Sequence, residues 1–329
     1  MRFVVYGAGG IGGVIGARLH QAGHEVTLIT RGAHLRAIIG HGLLLEAPGE
    51  SVILDIGAVG TPVEVDWSGA ETPVVLLATK SQDTEPALRD LVAVAPPETP
   101  VVCAQNGVAN ERRVARVMAN TYAMCVMCPT THLQPGVVQA HSAPVTGLLD
   151  LGRFPGGVDA TAVAVAAALS GATFDARPLP DAMRWKYAKL LKNLGNAVEA
   201  LCGPEGRGSV VDRRARREGE AALRAAGIGF ASDREDAERR GDLLRLRRTP
   251  GGRWSGGSSW QSLARGAGSI ETDYLNGEIA LLGRLHGVPT PVNVGLQVLA
   301  NEMARTGTAP GSWAVSDLAA RLDRGPVAR

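Results

Sequence analysis

Residues Phe3 to Tyr6 form a short apolar, strand-like run that leads directly into GAGGIG, and a helical stretch, IGARLHQAG, follows and ends at Gly23. Strand, glycine turn and helix in that order make the start of a dinucleotide-binding βαβ unit, which confines the first part of the chain to a narrow set of folds. The three spaced glycines do different things. Gly7 permits the tight turn off the strand, Gly9 lets backbone approach a pyrophosphate, and Gly12 lets helix and strand pack closely. The phosphates then lie at the positive end of the helix. With 42 glycines in the chain the spacing alone is weak, but its placement between strand and helix is not. Gly7, Ala8, Gly9, Gly10, Ile11 and Gly12 are therefore the expected cofactor-binding turn.

The next strand, Glu25 to Thr30, ends where an NAD-binding protein usually carries Asp or Glu for the ribose 2′-hydroxyl. Here it ends in Thr30 and Arg31. A carboxylate repels a 2′-phosphate, whereas a guanidinium pairs with it through two parallel hydrogen bonds and a Thr hydroxyl adds another. These two residues point to NADP(H).

A chain of 329 residues is long for one core and suggests two domains. The net charge of +2 gives no electrostatic case for nucleic acid or a membrane surface. The Arg-rich runs at 213–217 and 239–248 are interleaved with acidic residues and read as solvated helix faces. No apolar run reaches the roughly 18 residues a membrane span needs, and the N-terminus lacks a signal-peptide layout, so a cytoplasmic location is expected. Cys125 and Cys128 sit in an apolar, strand-like CVMC run without a second ligand pair, which argues against a metal site.

Apolar strand patterns alternate with helical ones through Val74–Thr79, the helical run after it, Val101–Gln105 and the run ERRVARVMA. This alternation builds a parallel sheet covered by helices. Strand candidates from Ala123 to Gly152 suggest a mixed or antiparallel end to the sheet. From Asp181 the pattern turns helical, at 181–201, 212–227, 258–266 and 271–286. The expected architecture is α/β, with an N-terminal Rossmann domain over residues 1–177 and an all-helical substrate domain over 178–329. Residues 232–257, charged and then Gly-rich, read as an exposed connection.

Polar residues at strand C-terminal ends and on one helix face are the candidates for chemistry in such a pairing. Lys80 and Asn106 stand at two strand ends, where the nicotinamide half of a cofactor is expected. In the helix from Arg184 to Leu201, Leu191, Leu194, Val198 and Leu201 form the apolar stripe, while Lys189, Asn193 and Asn196 share the other face. Two Asn and Gly195 inside a helix cost roughly 0.5–1 kcal/mol each against Ala. A merely solvated face more often carries Glu, Lys or Arg, so Lys189, Asn193 and Asn196 read as a substrate-facing row.

On these residues the chain resembles the ketopantoate reductase family. The likeness runs through GAGGIG with Thr30 and Arg31, ATKSQDT at Lys80, QNGVANE at Asn106, KLLKN at Lys189, SSWQS followed by ETDYLNG, and HGVPTP at 286–291. Ser259, with Glu271 twelve residues later and DYLNG after it, is its most specific element. The resemblance implies NADPH-dependent reduction of 2-dehydropantoate to (R)-pantoate, in pantothenate and coenzyme A biosynthesis. It implies Lys189 as general acid, Asn106, Asn193, Ser259 and Glu271 around a small 2-keto acid, and Lys80 near the nicotinamide. Hydride attack on a ketone builds negative charge on its oxygen, and a cation able to give up a proton answers it.

Ser259 and Glu271 would lie about 18 Å apart on one straight helix, too far to share a small acid. A break is required, and Gly266 and Gly268 supply it, with Ser269 as cap of the next helix and Glu271 in its first turn. The chain also departs from the family pattern. Many members carry Trp two residues before the catalytic Lys and a second substrate Asn eight after it; here these are Tyr187 and Ala197, with Asn at 196. Lys186, beside Trp185, is a rival proton donor, although Leu190 and not Asn lies four residues on. The alternatives are a related reductase of another 2-keto acid and a non-catalytic NADP(H) sensor; no metal is expected, and a homodimer is left open.

Overall fold

The structure is a computed structural model that describes residues 1–69, 71–252 and 256–325. Arg253, Trp254 and Ser255 of the GGRWSGG stretch lie outside the described residues. The chain forms two compact units, Met1–Lys186 with Ser232–Trp254, and Tyr187–Ala231 with Ser255–Arg329. Residues 178–186 and the 232–254 excursion thus go with the first unit, whereas a division after 177 assigns both to the second.

The first unit contains, in chain order, β1 (Arg2–Tyr6), α1 (Gly10–Gln21), β2 (Glu25–Ile29), α2 (Gly32–His41), β3 (Leu43–Ala47), β4 (Glu50–Leu54) and β5 (Gly57–Val59). It continues with β6 (Val74–Leu77), α3 (Thr84–Val92), β7 (Val101–Cys103), α4 (Asn110–Val114), β8 (Thr121–Met127), β9 (Thr130–Thr131), β10 (Val137–Ala140), β11 (Ser142–Pro144), β12 (Leu148–Arg153) and α5 (Ala160–Gly171). Seven strands make one sheet in the order β12-β8-β7-β6-β1-β2-β5, all parallel except β12, which runs against β8. The antiparallel end is the mixed part expected from the 123–152 pattern.

Period-two alternation sorts the side chains of this sheet into two cores. Phe3 and Val5 of β1 pack on one face with Ile15 and Leu19 of α1 and Leu169 of α5. Val4 packs on the other with Leu88 and Leu91 of α3 and Val114 of α4. Burial on both faces explains why β1, β6 and β7 read as near-continuous apolar runs. Strand order reverses between β1 and β6, and in open α/β sheets ligands bind beyond the carboxyl ends at such a switch.

The excursion at 232–254 departs from the expectation of an exposed connection. It forms α9 (Asp233–Arg240), started by a Ser232/Glu235 capping box, and β13 (Leu244–Leu246), which pairs antiparallel with β11. Nor is Arg239 on a solvated face. Its guanidinium donates to Asp150 at 2.7 and 2.6 Å and to the Asp175 carboxylate at 2.6 Å, buried from solvent. Two carboxylates distant in sequence turn this one Arg inward, while Arg245, Arg247 and Arg248 of the same run are exposed.

The second unit is helical. α6 (Ala182–Asn193) enters it after Lys186, and α7 (Gly195–Cys202), α8 (Val210–Ala225), α10 (Ser258–Ala264), α11 (Asn276–His286), α12 (Pro291–Thr306) and α13 (Val315–Asp323) follow. α7 packs against α8, α10 and α12 and is buried along its whole length. Leu191, Leu194, Val198 and Leu201 are buried, as the stripe predicted. The close approach of α8 needs Gly219, where a Cβ would stand 2.8 Å from Leu191 Cδ2 and Leu194 Cδ1. Among the described residues no helix is long and apolar enough to cross a membrane.

Candidate active site

In the first unit the glycine turn has the geometry its spacing predicts. Gly7 adopts φ +103°, and a Cβ there would stand 2.7 Å from the backbone nitrogen of Thr79, in the turn after β6. At Gly12 a Cβ would lie 2.1 Å from Gly7 O. At Gly9 a Cβ would meet no protein atom within 4 Å, so a ligand can approach this backbone closely. The first intrahelical bond of α1 is Gly13 N–H to Gly9 O at 2.7 Å, which leaves the N–H groups of Gly10, Ile11 and Gly12 without helical partners. Oriented N–H groups, an open Cα and the positive end of a twelve-residue helix suit a pyrophosphate.

His34 braces this turn from beneath, a role the sequence did not suggest. Gly136 N–H can only donate, so His34 Nδ1 accepts at 2.8 Å, and Nε2–H must then donate to Ala8 O at 2.8 Å. Burial pushes this imidazole below its ordinary pKa.

β2 ends at Ile29, and Thr30 N–H donates to Val59 O. Arg31 stands at the N-cap of α2 with its side chain 86% exposed, 3.3 Å from Asp83 Oδ1 in the 3-10 turn Ser81–Asp83. Lys80 precedes that turn, and Asn106 follows β7 by three residues; both are half-buried. A buried polar network joins these two strand ends. Gln105 Nε2 donates to Thr79 O at 2.9 Å and Thr84 Oγ1 at 2.8 Å, and Thr84 Oγ1 donates to Asn110 Oδ1. Asn110 Nδ2 donates to Ser81 Oγ and to Asn106 O.

Lys186 belongs to this network. Its ammonium donates to Gln105 O at 2.8 Å and Cys103 O at 3.4 Å and stands 2.5 Å from Glu111 Oε1. Two carbonyls and a carboxylate thus enclose the buried ammonium beneath the sheet edge, the environment of a structural cation.

In the second unit Lys189 is half-buried on α6, with Asn193 one turn on. Asn193, Asn196, Ser259 and Glu271 are all buried. Asn196 Oδ1 accepts from Arg207 Nη2 at 2.5 Å, and the same nitrogen reaches Glu199 Oε2 at 2.8 Å. Glu199 Oε2 in turn accepts Gly257 N–H at 3.1 Å, which seats the start of α10 and hence Ser259 on α7. The break before Glu271 falls at Gly266 and Gly268, both at positive φ. The cap position of the next turn is Ile270 rather than Ser269, and Glu271 opens the 3-10 turn Glu271–Tyr274.

The DYLNG residues explain how that turn is held. Asn276 Nδ2 donates to Leu194 O, the residue between α6 and α7, and to Asn293 Oδ1; Asp273 Oδ1 accepts from Gln297 and Asn301. Glu271 and Ser259 are therefore anchored separately to the stretch that carries Asn193 and Asn196. Among the described residues no group of three or more His, Cys, Asp or Glu could hold a metal ion, and neither Cys125 nor Cys128 is in a disulfide.

Two family models match in tandem: ketopantoate reductase PanE/ApbA over residues 3–156, and its C-terminal counterpart over 181–304. The chain belongs to the ketopantoate reductase family. The 2-dehydropantoate 2-reductase of Halobacterium salinarum is 29% identical over 309 residues, 89% of this chain and 95% of that protein. That of Pyrococcus horikoshii is 29% identical over 196 residues, 59% of this chain and 61% of that protein. The crystal structure of a PanE/ApbA family ketopantoate reductase from Ralstonia eutropha JMP134 superposes with TM-score 0.78 at 29% identity, over 93% of this chain and 99% of that one. A D-mandelate dehydrogenase solved with NADH and anilino(oxo)acetate gives TM-score 0.79 at 24% identity, over 94% and 100% of the two chains, a likeness of fold alone.

Within this ketopantoate reductase family member, sequence reasoning missed His34, Asn110, Glu111, Lys186 as a structural cation, Arg207 and Arg239. Asn110, four residues after Asn106 at the start of a helix, carried a weak local signal. Arg207 bonds to Glu199 and Asn196, eight and eleven residues away, and the others act through partners distant in sequence.

Proposed function

We propose that this protein reduces 2-dehydropantoate to (R)-pantoate with NADPH, as a step in pantothenate and coenzyme A biosynthesis. The observation that bears on the choice between Lys186 and Lys189 is the engagement of Lys186 by Glu111 and two carbonyls, which supports Lys189 of the KLLKN motif as the proton donor. When bound, a reduced nicotinamide supplies hydride to the C2 ketone carbon. Lys189 stabilises charge on the ketone oxygen and gives it the proton that completes the alcohol. Glu271 and Ser259 hydrogen-bond the substrate's hydroxyl and carboxylate, Asn193 and Asn106 orient it, and Lys80 stands at the nicotinamide end. Asn196 is the weakest member of this set, since its oxygen already accepts from Arg207.

A shared fold does not choose a cofactor, so the preference for NADPH rests on Thr30 and on the exposed Arg31, without a carboxylate at the end of β2. A second reading, the same chemistry on another 2-keto acid, is favoured by Ala197 in place of the family's second Asn and by the engagement of Asn196. Oxidation of NADPH and NADH at 340 nm with ketopantoate and a panel of 2-keto acids tests both. Turnover with another acid alone moves the substrate and keeps the mechanism. No turnover with NADPH still bound brings the sensor forward. A cytoplasmic location and a homodimer, checked by fractionation and light scattering, complete the proposal.

A further inference from the structure

A fully buried ion pair is an uncommon foundation for a strand end. Desolvating two charges costs several kcal/mol per ion, and an apolar pair of similar volume is often as stable or more so. Lys186 and Glu111 are nonetheless almost wholly enclosed, with side-chain exposures of 2% and 0%. The surroundings are apolar enough that burial, followed by the charge of Glu111, drives the neighbouring Cys103 thiol well above its ordinary pKa. Packing alone gives no reason to keep such a pair.

Its contacts supply one. We infer that Lys186, compensated by Glu111, is a positioning residue: it pins the carbonyls of Cys103 and Gln105 and thereby sets the direction in which Asn106 leaves β7. The ammonium holds one side of the turn through those two carbonyls. Asn110 holds the other by donating to Asn106 O at 3.4 Å. Gln105 and Asn110 also bond to Thr79 O and Ser81 Oγ, on either side of Lys80, so the ends of β6 and β7 are fixed as one piece. Arg113 Nη1 adds a bond to Ser81 O at 3.0 Å. Neutral side chains also hold carbonyls, but a single ammonium from α6 gathers two carbonyls and a carboxylate of the 103–111 segment at one point.

This inference rests on the proposed role of Asn106, and the experiment separates the two. The paired variant Lys186→Met with Glu111→Met replaces the ions by apolar groups and avoids a stranded charge. It is expected to fold with a melting temperature near that of the parent. Its kcat should fall about 10- to 100-fold, while NADPH affinity, read by fluorescence titration, stays within about twofold. In an Asn106→Ala background the same pair should add less than about twofold, since positioning matters only while Asn106 is present. Amide exchange at 104–108 should rise at least about tenfold without a general rise across the sheet, a readout that needs no turnover.

Native kcat with native exchange at 104–108, or full additivity with Asn106→Ala, overturns the positioning role. Asn106→Ala with native turnover instead overturns the functional assignment of Asn106 and leaves the exchange result to judge the pair. If the Met pair does not fold, Lys186→Met with Glu111→Gln keeps a hydrogen-bonding group beneath the turn and is read in the same cycle.

Discussion

Replacing Arg239 by Met tests the claim that the 232–254 excursion is clasped to the first unit rather than being a surface connection. The guanidinium makes two bonds to Asp150 and one to the Asp175 carboxylate, all at 2.6–2.7 Å, and it is buried with Asp150. Its removal leaves a buried carboxylate without its cation, a change that costs about 3–5 kcal/mol. For a unit of this size that corresponds to a fall in melting temperature of about 6–20 °C. Arg239→Lys should recover only part of this, because one ammonium cannot make the fork. Arg239→Met with Asp150→Asn should lose less than about 2 kcal/mol, since the uncompensated charge is gone. The Asn oxygen can still accept Arg177 N–H, as Asp150 Oδ1 does at 3.0 Å. The two units need not unfold together, so amide exchange of peptides from β12 and α9 is followed in urea, which reports the first unit alone. A loss below about 1 kcal/mol for Arg239→Met, or one that 0.5 M salt abolishes, refutes the reasoning, because a desolvated pair is screened far less than an exposed one.

Lys189→Ala is expected to lower kcat by about 10²–10⁴ while NADPH still binds, measured by stopped-flow and fluorescence; native turnover removes it as the acid. Arg31→Ala should raise KM for NADPH and leave that for NADH within about twofold. The exposure of this side chain puts its contribution near 1.4 kcal/mol, or about tenfold, and the effect should shrink as salt rises. For pH, burial lowers the folded-state values of His34 and His141 below their ordinary value of 6.5. The unfolded chain then takes up protons first, so stability is complete above about pH 6.5 and is lost as pH falls through the folded values. Exchange-monitored urea midpoints for the first unit should be flat from pH 8 to 7 and decline from 6.5 to 5; a flat profile over the lower range contradicts the neutral, doubly bonded His34. Glu50 and Asp159, whose folded pKa values lie below the usual carboxylate range, lose their contributions only at lower pH.

Most of the architecture was legible because it is written in short-range periodicity. Apolar runs marked β1, β6 and β7, GAGGIG marked the turn, and the helical pattern after Asp181 marked the second unit. What escaped notice depends on partners far apart in sequence. Arg239 looks like its exposed neighbours until Asp150 and Asp175, 89 and 64 residues away, converge on it. Likewise β13 is a three-residue LRL strand in an Arg-rich run, and its strand character comes from pairing with β11, a hundred residues earlier. Ser269 looked like a cap because its chemistry suits one, yet the cap geometry belongs to Ile270, whose side chain makes no capping bond.

The same division runs through the candidate site. The candidate residues were picked out because each lies in a local motif, whereas their buried partners were not. Lys186 and Lys189 show why. They are one helical turn apart in α6 and identical in type, and spacing separates them only through the residue four positions on, Asn193 for Lys189 and Leu190 for Lys186. What sets Lys186 apart is Glu111, Cys103 and Gln105, which meet its ammonium from more than 70 residues away. A lysine so held fixes backbone and cannot follow a substrate oxygen as charge grows on it. Roles within a motif therefore follow from what the fold brings to each copy of a residue, and the comparison of Lys186 with Lys189 variants measures that difference directly.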